Sequence, residues 1–121
     1  AGIGNIVASE NGYEAIRAIH RTNPDMAIVD FNMQPVDGIE FTRYVRSSPM
    51  SANPHLPILM MTGHAEKGRV LEARKAGISE FVVKPLTARR LLARFNRLLS
   101  SEAFARHMEA KTIAEERLAN L

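Results

Sequence analysis

The sequence predicts an α/β protein built on a parallel sheet, and three observations predict it. Short apolar runs alternate with helical patterns along the chain, and that alternation requires crossovers between parallel strands. Three of the runs stop abruptly on a polar residue followed by a loop former: Ile28-Val29 at Asp30, 58–61 at Thr62-Gly63, and 81–83 at Lys84-Pro85. A chain of 121 residues, 45% hydrophobic and 24% charged, has the size and balance of one globular core.

The elements follow in order. Residues 5–9 (NIVAS) form a short strand, ended by the Asn11-Gly12 turn signal. Residues 13–21 carry Tyr13, Ile16 and Ile19 at helical spacing, and Asn23-Pro24-Asp25 stops that helix. Residues 26–29 are the next strand. Pro35 lacks an N–H and Asp37-Gly38 favours a turn, so 31–38 cannot prolong it. Residues 38–46 form a helix with Ile39, Phe41, Tyr44 and Val45 as its apolar side. A loop with three prolines covers 49–57, and 58–61 is a strand. Residues 66–76 are a helix closed by Gly77. Residues 81–83 are a strand, and 87–99 a helix capped by Thr87, with Leu91, Leu92, Phe95, Leu98 and Leu99 as its stripe. Residues 101–121 form a further helix. Phe104, Met108, Ala114, Leu118 and Leu121 drift along one side of it, interrupted by Lys111 and Glu115.

Composition narrows the function. Without cysteine there is no disulfide and no thiolate metal site. No apolar run approaches the ~18 residues that span a bilayer, and no signal peptide is visible, so a cytoplasmic protein without a membrane partner is expected. The net charge of +3 owes much to Arg89, Arg90, Arg94 and Arg97 in one helix. No recognition-helix motif or stacking aromatics accompany them, so they read as a solvated face rather than a nucleic-acid footprint.

The chemistry lies at the strand ends. In open α/β sheets the carboxyl edge of the strands is where ligands bind. If the sheet is parallel, Asp30, Thr62 and Lys84 share that edge and offer a carboxylate, a hydroxyl and an ammonium. Each has a structural alternative: a turn-forming aspartate, a helix-capping threonine, a solvated lysine. Three different polar groups at three strand ends make the joint alternative a poor account.

DFNMQPVDG, PILMMTG and EFVVKP, in this order and spacing, resemble the response-regulator receiver domain of two-component signalling, over about residues 5–100. The resemblance implies a flavodoxin-like, doubly wound parallel sheet. It implies that Asp30 accepts a phosphoryl group from a histidine kinase or phosphotransfer protein, and that Thr62 and Lys84 contact that group. Thr62 and Phe81 fall where the family carries its switch residues. The implied cofactor is Mg²⁺, held here by Asp30 and Asn32. The implied role is a signalling module rather than an enzyme, with self-catalysed phosphoryl transfer and dephosphorylation only. Its output would be a surface change read by an unidentified downstream protein.

One part of the family pattern is absent. Receivers open with a strand ending in an acidic pair that helps to hold Mg²⁺, whereas Ala1-Gly2-Ile3-Gly4 resembles the end of the helix that follows it. The carboxylates before Asp30 are only Glu10, Glu14 and Asp25. Glu14 lies in a helix, Asp25 at the wrong end of a strand, and Glu10 alone ends a strand on the functional edge. The expectation is therefore a receiver domain over 1–100, incomplete at its N-terminus, with a helical extension over 101–121. Metal binding should be weak. The family strand order 2-1-3-4-5 would lose its central member, leaving strand edges open to pairing and a homodimer in prospect. The 101–121 helix would then either cover a sheet face otherwise covered only by the 87–99 helix, burying Phe104, Met108 and Leu118, or project into solvent as a frayed terminal helix. Two other functions compete: a non-phosphorylated pseudo-receiver scaffold, and a phosphohydrolase of the haloacid-dehalogenase type. The latter needs a second aspartate where Asn32 stands, and an amide cannot transfer the proton.

Overall fold

The computed structural model describes residues 6–9, 11–32, 35–51, 53–63, 67–85 and 87–120. Among these residues strands and helices alternate as far as α4, and a further helix follows: β1 (Ile6–Ser9), α1 (Gly12–Thr22), β2 (Met26–Asp30), α2 (Gly38–Ser47), β3 (Ile58–Thr62), α3 (Lys67–Ala76), β4 (Glu80–Val83), α4 (Ala88–Leu99) and α5 (Glu102–Ala119). The four strands are all parallel, in the order β1-β2-β3-β4.

That order corrects one expectation. β1 pairs directly with β2, Ile6 opposite Met26 through Ser9 opposite Val29, so no gap opens inside the sheet. Right-handed crossovers that always step in one direction place their helices on one face. Accordingly α1, α2 and α3 share a core with the odd-numbered side chains of β2: Ala15, Ile19, Ala27, Val29, Ile39, Phe41, Val45, Ile58, Met60 and Ala73 are buried together. The opposite face is smaller. Met26, Leu59 and Val82 meet Leu98 of α4, with Ile28, Met61, Leu91 and Phe95 half-buried beside them. Helices therefore lie on both faces, as in a doubly wound sheet.

The helix ends carry the chemistry that stops and starts them. The side chains of Asn11, Asp37, Thr87 and Ser101 each accept an N–H of the following first turn. Asn23 closes α1 in the left-handed conformation at φ 45°, and Gly77 follows α3 at φ 110°.

Three stripes differ from expectation. Tyr13 is 58% exposed; α1 buries Gly12 and Ala15 with the expected Ile19, and Ile16 is half-buried against the same core. In α4 only Leu98 is fully buried, and Leu92 is 60% exposed. In α5 the buried residue is His107, while Phe104 and Met108 are half-buried and Leu118 is 70% exposed. α5 does not cover the second sheet face. It meets Asp25 and Asn53, in the segments that lead into β2 and β3. The polar His107 and Lys111 find partners there that an apolar face could not supply.

Candidate functional site

β2, β3 and β4 end together, one residue out of step. Asp30 is opposite Met61, so Thr62 lies one step beyond it, and Thr62 is opposite Val83, so Lys84 lies one step beyond that. Two backbone bonds knit the ends past the ladder: Phe31 N–H donates to Met61 O at 2.8 Å and Lys84 N–H to Thr62 O at 2.8 Å. The Lys84-Pro85 peptide bond is cis.

Both oxygens of Asp30 are engaged. Oδ1 accepts the Asn32 N–H at 2.9 Å, and Oδ2 accepts the Lys84 ammonium at 2.5 Å. Partial burial of the carboxyl pushes its pKa up. The Lys84 hydrogen bond, the Asn32 amide and the Lys84 charge together outweigh that and hold it below the usual carboxylate range. Asp30 is thus an anion at neutral pH, partly shielded and charge-balanced. Thr62 is buried at 6% exposure, and Asn32 is exposed.

Phe81 is half-buried against the main core, and the Arg74 guanidinium lies 5.5 Å from its ring centre. It faces the α1–α3 side of the sheet, one residue before the buried Val82 of the other side. The geometry brings Asp30, Thr62 and Lys84 to one edge, with Phe81 three residues back along β4. Glu10 lies outside the described residues.

Sequence reading missed three contributors. Phe31 is buried beside Asp30, with the Arg69 guanidinium 4.5 Å over its ring. Gly38 lies so close beneath the site that a Cβ there would stand 2.9 Å from the Asp30 carbonyl oxygen and 3.3 Å from the Phe31 Cα. The Asp37-Gly38 pair signals the turn and the helix start, but no local pattern signals the close approach. The Arg69–Phe31 contact joins residues 38 apart in sequence and has no periodic signature.

Among the described residues the metal-ligand set falls short. Among the described residues no group of three or more His, Cys, Asp or Glu side chains could hold a metal ion. Asp30, already neutralised by Lys84, and Asn32, with no carboxylate of its own, do not fit a tightly held Mg²⁺. Among the described residues no helix is long and apolar enough to cross a membrane.

Comparison with known proteins bears on the fold. The response regulator receiver domain family matches residues 1–96. The chemotaxis protein CheY of Pseudomonas aeruginosa is 34% identical over 97 residues, covering 80% of this chain and 77% of that protein. CheY-3 of Vibrio cholerae is 29% identical over 97 residues, covering 80% of this chain and 73% of that protein. Among solved structures, the receiver domain of a sensor histidine kinase from Pseudomonas aeruginosa superposes with a TM-score of 0.66 at 26% identity, over 77% of this chain and 75% of that one. That structure has a magnesium ion coordinated in its active site cleft. Vibrio cholerae CheY4 has the same fold, with a TM-score of 0.71 at 24% identity over 81% of this chain and all of the other. The sheet and its helices are accordingly of the flavodoxin-like type shared by receiver domains.

Proposed function

This chain belongs to the response regulator receiver domain family, and from that premise we propose that it is a phosphoacceptor module of a two-component phosphorelay, with Asp30 as the acceptor. The observation that carries this reading is the Asp30–Lys84 pair at 2.5 Å, set between the ends of β2 and β4. The donor is a phosphohistidine on a histidine kinase or phosphotransfer protein. A carboxylate oxygen of Asp30 attacks phosphorus as the bond from phosphorus to the imidazole nitrogen breaks. The low pKa of Asp30 keeps that oxygen ionised at neutral pH. In the product Lys84 keeps its cation beside the aspartyl phosphate, where charge-assisted hydrogen bonds to phosphoryl oxygens are strongest.

Thr62 supplies a hydroxyl one step beyond Asp30. Phe81 responds by packing, since it has no hydroxyl with which to report a hydrogen bond. Among the described residues a Cβ at Gly63 would meet no heavy atom within 4 Å, which leaves room for a donor there. The module works on no external substrate, and its only turnover is its own phosphorylation and dephosphorylation. Its downstream partner is a protein that reads the changed surface; the setting is cytoplasmic, and a homodimer is one form the module can take.

Incubating the protein with acetyl phosphate and Mg²⁺ should add one phosphoryl mass, and Asp30→Asn should abolish it. Retention of the added mass in Asp30→Asn would sink the assignment. Lys84→Ala should weaken the surface response more than phosphorylation. Equal loss of both would mean that Lys84 only supports the fold. Among the described residues no group of three or more metal-ligating side chains gathers, and this favours a second reading, a pseudo-receiver scaffold that is never phosphorylated. A wild-type chain that gains no mass under the same treatment, yet binds its partner, would select it.

A further inference from the structure

A buried polar cluster outside this site lies at the other end of the strands. Asp25 immediately precedes β2 and is 3% exposed, Asn53 lies in the loop before β3, and His107 of α5 is fully buried between them. His107 Nε2 is 3.0 Å from Asp25 Oδ1, and His107 Nδ1 is 2.9 Å from Asn53 Nδ2. Lys111, one helical turn further along α5, donates to the same Asp25 oxygen at 2.6 Å.

The protonation state follows from the Asn53 amide. Its Oδ1 accepts the His55 N–H at 2.9 Å, so its NH₂ must be the group facing His107. An NH₂ can only donate, so Nδ1 presents a lone pair and the proton sits on Nε2, donated to Asp25. The Asp25 carboxylate takes its countercharge from Lys111 and needs no second cation. A proton on Nδ1 would set N–H against NH₂ in a buried site. Flipping the amide to relieve this would strip the His55 N–H of its acceptor.

We propose that this cluster is a proton-sensitive latch that docks α5 on the strand-entry end of the sheet while His107 is neutral and releases it when His107 is protonated. The charged or titratable groups around the ring are Asp25 before β2, His55 in the loop before β3, and Lys111 on α5 itself. Burial lowers the pKa of His107. Asp25 raises it, and the Lys111 and His55 charges lower it again, leaving it below the ordinary histidine value. Beside the cluster, Phe104 and Met108 of α5 are only half-buried. Residues 112–120 are all exposed, and Ile113 and Leu118 lie bare at 42% and 70%. The latch gives the chain a proton input at the end of β2 opposite Asp30, independent of phosphorylation.

Amide hydrogen exchange of the whole protein, corrected for intrinsic rates, tests this at about pH 7.5 and about pH 5.5. Opening of residues 103–111 should rise by up to roughly tenfold per pH unit below about 6.5, while the amides of β2 and β3 keep their protection. Asn53→Asp still accepts from His55 and offers Nδ1–H an acceptor, so its α5 should stay protected at the lower pH. Should that variant fail to fold, the ring ¹⁵N shifts of wild-type His107 decide. The expected pattern is the Nε2–H tautomer at the higher pH, with protonation and loss of α5 protection together. Protection of α5 that persists in wild type with a doubly protonated His107, that falls equally in Asn53→Asp, or that is lost together with β2 and β3 would overturn the latch.

Discussion

Replacing Lys84 with methionine keeps the apolar stem and removes the ammonium that contacts Asp30. In a dry site a charge-assisted hydrogen bond contributes about 1.5–3 kcal/mol. Here the Lys84 side chain is 44% exposed and that of Asp30 21%, so water screens the pair and the figure for exposed ion pairs, about 0–1 kcal/mol, decides. Stability at neutral pH should therefore fall by about 1 kcal/mol or less. The titration of Asp30 should change far more. Burial raises its pKa, and Lys84 supplies both the leading hydrogen bond and the charge that reverse this, with the Asn32 amide beside them. Lys84→Met leaves that amide alone against burial, so the carboxyl should titrate at a higher pH than in wild type. The sign for stability follows. In wild type the folded pKa lies below the unfolded value of about 3.9, so the unfolded chain takes up the proton first. The contribution of Asp30 is present above that value and is lost as pH falls toward the folded one. In the variant this loss shrinks or reverses. A carboxyl-carbon NMR titration of Asp30 reads the first effect, and urea denaturation the second. An unchanged Asp30 titration would refute the charge argument. A loss of about 3 kcal/mol or more at neutral pH would show that the pair behaves as a buried structural bridge.

Phe41→Ala removes a ring that is 0% exposed in the main core and should cost about 3–5 kcal/mol in urea denaturation, a large share of a small domain's stability. Gly77→Ala forces φ 110° on an alanine, with its Cβ 2.9 Å from Arg46 Cγ, and should cost about 1–2 kcal/mol by the same measurement. Arg46→Met should cost about 2–4 kcal/mol, because the guanidinium donates to Gly77 O and Pro54 O, both at 2.9 Å, and both carbonyls lose their donor. Burial holds the pKa of that guanidinium down at about 10, so its place depends on those acceptors. Arg46 and Gly77 touch, so the double variant should cost measurably less or more than the sum. Millimolar Mg²⁺ should move the NMR spectrum of the unphosphorylated chain little, and tight saturable binding would point to a further ligand, with Glu10 first to be tested.

The juxtaposition of Asp30, Thr62 and Lys84 was legible in the sequence because each part of it is local. An apolar run that stops on Asp30, Thr62 or Lys84 and meets a loop former fixes both the strand and the edge on which the polar group stands. Register follows from parallel pairing, and no distant contact is needed to place the three side by side. The reading fails where angle or distance decides. Tyr13, Ile16 and Ile19 have a helical period, but so do Gly12, Ala15 and Ile19, and the packing beneath turns Gly12 and Ala15 inward and leaves Tyr13 outside. Leu92 in α4 fails for the same reason, since Met26, Leu59 and Val82 give that helix only a narrow strip to cover. The sheet order failed because it was carried over from the family pattern, whereas β1 and β2 are free to pair directly. The α5 cluster lies furthest from sequence reading. Asp25 and His107 are 82 residues apart, and each looks ordinary alone: an aspartate after a proline, a histidine in a mixed helix. Their meaning depends on Asn53, whose amide is oriented by a third backbone group. A helix that reads as weakly amphipathic can still be firmly placed when its one buried residue is polar and fully partnered. Hydrophobic periodicity is blind to that kind of anchor, and interruptions such as Lys111 are then contacts rather than flaws in the pattern.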